Sequence, residues 1–220
     1  NTLWRVCVCP EIETTLYGDE FSPTQVSYEP GSRPILEAVT ENLHGDTARE
    51  RARAAMGWTR RNVRHAHLVG PLPPDRAMSE EELIESGVGW CNEQSRVFVA
   101  LCEVMEIPAR MCFLFHANLR CGHTVTEVRL GDRWAMFDVT FDVAVALPGG
   151  ELAEARELSG PQRELAHRAY REPLAVHYER IKPFTEEAPG WCSEDRPAVE
   201  KGGDLFAHIG LCNYVVEGVD

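Results

Sequence analysis

Between Cys91 and Pro108 the chain has little freedom of conformation. Cys91, Ser95, Phe98, Cys102 and Met105 step by 4, 3, 4 and 3 residues, so an α-helix carries all five on one face. A face of that composition is expected to be buried, and Pro108 ends the helix because it has no N–H to extend the ladder. Upstream, Ser79 with Glu82 forms a capping-box pattern that opens a short helix, and Gly87 and Gly89 close it. A cysteine therefore stands at the head of a buried helix.

The rest of the chain is read around that helix. Ala109 to Leu119 is an apolar strand, and two more strands, His123 to Leu130 and Arg133 to Phe141, meet across a Gly131-Asp132 hairpin turn. Before them, Thr47 with Glu50 is a second capping box, and Ala48, Ala52, Ala55, Met56 and Val63 recur at helical spacing, predicting a helix from about Thr47 to His65. Residues 1 to 39, punctuated by Pro10, Pro23, Pro30 and Pro34, read as an extended lead-in with one or two strands, and Gly70 to Asp75 as a loop. After Pro148 the chain turns helical and charged from Glu151 to about Ile181, with breaks expected at Pro161 and Pro173, and Leu211 to Val216 is a possible last strand. The fold class is α+β, a helix packed on an antiparallel sheet, in one domain over 1–220: lead-in 1–44, core 45–142, helical and irregular elaboration 143–220.

Composition bounds the partners. Of 220 residues 44% are hydrophobic, enough to fill the core of one sizeable domain. Against 22 basic side chains stand 35 acidic ones, a net charge of -13 that repels phosphate backbones and anionic lipid, so neither nucleic acid nor a membrane surface is an expected partner. No stretch reaches the roughly 20 apolar residues of a membrane span, and a soluble protein is expected, the cytoplasm slightly favoured. The eight cysteines include Cys7 and Cys9 but no CxxC pair, so no metal and no cofactor is expected.

A thiol is a useful nucleophile only as thiolate, which a helix N-terminus and a neighbouring imidazolium both favour. Cys91 has the first by position, and its own amide N–H is the first candidate for an oxyanion donor. His123, opening a predicted strand after Gly122, offers the second, and Asp138 on the next strand offers a carboxylate to hold the imidazole in the right tautomer. Asp142 is a weaker competitor for that role, while Cys102 and Cys112 lie on apolar faces and read as core. His116, His177 and His208 show no partner pattern.

Gly89 to Phe98 (GWCNEQSRVF) with Ile107 to Arg110 (IPAR), then Gly122 to Val128 (GHTVTEV), then Trp134 to Thr140 (WAMFDVT) together resemble the transglutaminase-like branch of the papain-type cysteine enzymes. The resemblance spans roughly 45–142 and implies a papain-like core with Cys91 as nucleophile, His123 as general base and Asp138 as orienting acid. It implies acyl transfer or hydrolysis at an amide or peptide-type bond through a thioester, without a cofactor; substrate identity and oligomeric state stay open. Thr124-Val125 stands where the family usually has Ala-Trp, and Val139 where it has Pro. Trp90 before the cysteine is also unusual and is a candidate pocket wall.

Two other readings are weighed. CNEQS and FDVTFD also resemble the arylamine N-acetyltransferases, but their Gly-Gly before the cysteine is absent, and only Arg96 and Arg110 near Cys91 offer charge for coenzyme A phosphates. The third reading is a non-catalytic binding module on the same fold.

Overall fold

The structure, a computed structural model, describes residues 28–69, 78–116, 121–159, 161–187 and 209–212. Its first element corrects the extended lead-in: Pro34–Thr40 is a helix, α1. Pro34 occupies the first helical position, where a missing N–H is no loss. The N–H groups of Ile35 and Leu36 donate to one carboxylate oxygen of Glu81 at 2.7 and 3.2 Å, a cap supplied from a distant part of the chain. Residues 28–39 hold no strand, and the rest of the expected lead-in, 1–27, lies outside the described residues.

Both capping boxes form. At α2 (Ala48–Asn62), Thr47 Oγ1 accepts from the Glu50 N–H at 3.2 Å, while the Glu50 carboxylate accepts from the Thr47 N–H at 3.0 Å. At α3 (Glu80–Ser86), Ser79 and Glu82 exchange the same two bonds, at 3.3 and 2.7 Å. Helix α2 ends three residues before the expected His65, because Arg64–His65 becomes a strand, β1. It pairs in parallel with β2 (Val88–Gly89), Arg64 opposite Val88 and His65 opposite Gly89. Gly87, left-handed at φ 69°, closes α3, and its carbonyl accepts the Arg64 N–H at 2.9 Å.

Helix α4 (Cys91–Val104) follows at once. Of its residues from Glu93 to Cys102 all but Arg96 are buried, so it is enclosed on every side rather than along one face. Arg96 reaches out to the Glu80 carboxylate at 2.7 Å and to the Met78 carbonyl at 2.9 Å, fixing the start of α3 against α4. Phe98 packs against Phe137 with ring centroids 5.7 Å apart, one contact between helix and sheet.

The strands are β3 (Ala109–His116), β4 (Cys121–Leu130), β5 (Arg133–Phe137) and β6 (Ile209–Cys212), in the order β5-β4-β3-β6. Leu130 pairs with Arg133, leaving a two-residue turn with Gly131 at φ 68°, as the sequence predicts. Strand β5 stops at Phe137, short of the expected Phe141, because the chain reverses: Asp138 and Val143 exchange backbone bonds of 2.8 and 3.1 Å around a turn in which Asp142 is left-handed at φ 59°. Strand β6 pairs antiparallel with β3, His116 opposite Ile209, two residues earlier than the expected start at Leu211.

Beyond the sheet come α5 (Ala155–Ser159) and α6 (Arg163–Glu187). Pro161 separates them as expected, but α6 runs through Pro173. Ala166, Tyr170 and Leu174, one turn apart in succession, are all buried, and that continuous apolar stripe holds the helix across one missing hydrogen bond. The chain divides into two compact units, Ser22–Met111 with Val125–Ala144, and Asn1–Phe21 with Cys112–Thr124 and Val145–Asp220. Among the described residues no helix is long and apolar enough to cross a membrane.

Candidate active site

Cys91 is the first residue of α4 and its thiol is half-buried. The backbone before it is built for close approach: a Cβ added at Gly89 would lie 2.8 Å from the Glu93 Cβ, so only glycine fits where β2 enters the helix. Trp90, extended at φ -81° and ψ 179°, is the N-cap residue and offers no side-chain cap. Glu93 reaches back to accept the Trp90 N–H at 2.8 Å, which is half of a capping box at the head of the cysteine's helix. The Trp90 ring meets His65 edge-on, centroids 5.4 Å apart and planes at 84°. His65 is a neighbour that sequence reasoning missed, because it was placed at the end of α2 rather than in a strand beside Gly89.

Asp138 follows β5 directly and is 0% exposed, and one of its carboxylate oxygens accepts the Phe141 N–H at 3.1 Å. A second set of bonds holds the same turn from α4. Gln94 is 1% exposed; its amide nitrogen donates to the Val63 carbonyl at 2.8 Å, and its amide oxygen accepts from Thr140 Oγ1, also at 2.8 Å. Arg60 Nε donates to the Thr140 carbonyl at 3.4 Å. Helix α4, which begins at Cys91, and the turn that follows Asp138, both within the unit Ser22–Met111 with Val125–Ala144, are thus joined by the Gln94–Thr140 hydrogen bond. Asp142 is different, with a side chain 49% exposed and 3.9 Å from Arg60.

His123 is buried on β4, three positions before Thr126, which pairs with Phe137. It belongs to the unit that contains Cys112–Thr124. Further along the same strand, Glu127 accepts two hydrogen bonds from Arg110, at 3.0 and 3.1 Å, with both side chains fully buried. The guanidinium lies 3.9 Å from the Trp134 ring centroid. The IPAR, GHTVTEV and WAMFDVT segments therefore share one interaction: the arginine of the first, the glutamate of the second and the tryptophan of the third pack together. Truncating one member of such a buried pair typically costs about 3–5 kcal/mol, because the other charge is stranded. The two basic groups considered for coenzyme A are both engaged, Arg110 with Glu127 and Arg96 with Glu80.

Cys102 and Cys112 are buried, as expected of core thiols. Burial pushes the Cys102 thiol far above its ordinary range, with the Glu103 carboxylate adding to the shift. Glu103 is itself raised by burial, against a backbone hydrogen bond from Ala109 that lowers it. The side chains of His116, His177 and His208 lie outside the described residues.

A search of curated proteins returned no match. Among solved structures, the chain is similar to a proposed cysteine protease from Cytophaga hutchinsonii at 22% identity and a TM-score of 0.44, over 66% of this chain and 48% of that one. It is similar to a TGase at 12% identity and a TM-score of 0.39, over 55% of this chain and 33% of that one. A third likeness is to a proposed protease from Parabacteroides distasonis, at 10% identity and a TM-score of 0.36, over 56% and 28%. The chain thus spans less than half the length of each of these structures. The sequence profile of the transglutaminase-like superfamily matches residues 33–139, beginning a dozen residues before the expected core so as to take in α1, and including Cys91, His123 and Asp138. Over residues 33–139, just under half of its length, the chain matches the transglutaminase-like superfamily.

Proposed function

We propose that this protein is a cysteine-dependent enzyme acting on an amide or peptide-type bond, with Cys91 as nucleophile, His123 as general base and Asp138 as the acid that orients it. The observation that carries the reading is the half-buried Cys91 thiol at the first position of a 14-residue helix inside the family match. Partial positive charge at a helix N-terminus favours thiolate over thiol, and the Cys91 amide is the candidate oxyanion donor. The thiolate Sγ adds to the carbonyl carbon, and the tetrahedral oxyanion collapses with loss of the C–N bond as the His123 imidazolium gives its proton to the departing amine. Water or an amine then attacks the thioester carbonyl, His123 takes its proton, and the C–S bond breaks to restore the thiolate beside the imidazolium. Asp138, buried and held at one oxygen by the Phe141 N–H, is suited to stabilise the imidazolium. Coenzyme A as acyl donor is disfavoured, since Arg96 and Arg110 are engaged with carboxylates.

The test is iodoacetamide alkylation with peptide mapping from pH 5 to 9, on the wild type and on His123→Ala. Selective modification of Cys91 below pH 7, lost in the variant, is the expected result and would open a substrate search among amides. Reactivity like that of a free thiol, with a midpoint near 8.5 in both proteins, would sink the catalytic reading in favour of a binding module.

A further inference from the structure

We infer that Gln94 and Thr140 form a positioning bridge that sets the placement of Asp138 relative to the helix bearing Cys91. The inference rests on the triad reading above and adds to it two residues that touch no reacting atom.

The geometry is specific. Gln94 lies one turn beyond Cys91 on α4 and is buried, and both ends of its amide are used. The nitrogen is held at 2.8 Å by the Val63 carbonyl, at the C-terminal cap of α2, which fixes which way the amide faces. The oxygen then has one orientation in which to accept, and the Thr140 hydroxyl meets it at 2.8 Å. Thr140 is two residues past Asp138 in the tight turn closed by the Asp138–Val143 bridge, and that turn also carries the Phe141 N–H bound to the Asp138 carboxylate. From the other side, Arg60 of α2 holds the Thr140 carbonyl at 3.4 Å. Helix α2 therefore grips the turn twice, directly through Arg60 and by way of Val63 and Gln94, and α4 is one of the links. A hydrogen bond between an amide and a hydroxyl, both buried, has a narrow range of good geometries, so movement of the turn along α4 is resisted.

If Asp138 orients the imidazole that stabilises the Cys91 thiolate, a looser turn weakens that stabilisation and raises the pH at which Cys91 becomes reactive. Thr140→Val preserves volume and removes only the hydroxyl; Thr140→Ser restores it. The experiment measures the pH profile of Cys91 alkylation in the wild type, both Thr140 variants and Gln94→Met, each checked for a cooperative thermal transition. Thr140→Val and Gln94→Met are expected to move the midpoint of the profile up by about one unit, a roughly tenfold loss of reactivity on its acid side. Thr140→Ser is expected to keep the wild-type profile, and the Thr140→Val/Gln94→Met double variant to show no more than the larger single effect. Should Thr140→Val not fold, Thr140→Ala makes the same cut with less crowding. A low wild-type midpoint unchanged in the folded variants overturns the bridge while leaving the triad reading in place. An ordinary thiol midpoint in the wild type overturns both.

Discussion

Cys91 and Cys102 share α4 and differ in what governs a thiol, one half-buried at the helix head and the other sealed in the core. Because burial raises the Cys102 pKa, its contribution to stability depends on pH with a definite sign. The unfolded chain releases this proton from about pH 8.5 upward while the fold retains it, so stability is unaffected below that value and falls above it. Between pH 8.5 and 10.5 the wild type is expected to lose about 2–3 kcal/mol more than Cys102→Val, read from urea midpoints; parallel losses would show that the thiol ionises in place. At this scale the sequence was informative wherever a residue type had its own chemistry, as for the core cysteines. It was silent where the role is relational: Arg110 and Glu127 were visible as letters in two motif segments, yet only the β3 and β4 backbones reveal that they face each other. Gln94 was equally opaque, since a glutamine on a helix says nothing of Val63 and Thr140.

The helices that could be read were those whose start signals are local. Thr47 with Glu50 and Ser79 with Glu82 each satisfy their bonds within three residues, and both helices begin where the pattern says. Helix α1 escaped notice because its cap is Glu81, and α6 crosses Pro173 because tertiary burial of one stripe outweighs a local penalty. Helix α4 shows a further limit: spacing identifies an apolar face but not that every other face is covered too. The entry to α4 supports a prediction that belongs to the element. At Gly89 a methyl group meets the Glu93 Cβ at 2.8 Å, so Gly89→Ala is expected to displace the first turn, cost about 1–3 kcal/mol in chemical denaturation and blunt the selectivity of Cys91 alkylation. Wild-type stability with unaltered labelling would mean that the turn yields at no cost.

For the molecule as a whole, 35 acidic side chains face 22 basic ones, and ion pairs among the described residues, such as Arg33 and Arg96 with Glu80 and Arg110 with Glu127, do not remove the excess. Like charges crowded on a compact surface repel, and salt screens them within about 10 Å at 0.1 M. The thermal midpoint is therefore expected to rise by a few degrees between 10 and 150 mM sodium chloride; a fall would show that attractive pairs dominate instead. Sequence patterning conveyed the α+β class and the order of helix and strands, but not the division into two compact units, which depends on contacts between distant segments. The tie between Gln94 and Thr140 has one more property. An amide and an alcohol neither gain nor lose protons anywhere near neutrality, so on the proposed mechanism a proton passing between sulfur and ring nitrogen would redistribute charge within the centre without altering the frame that holds Asp138.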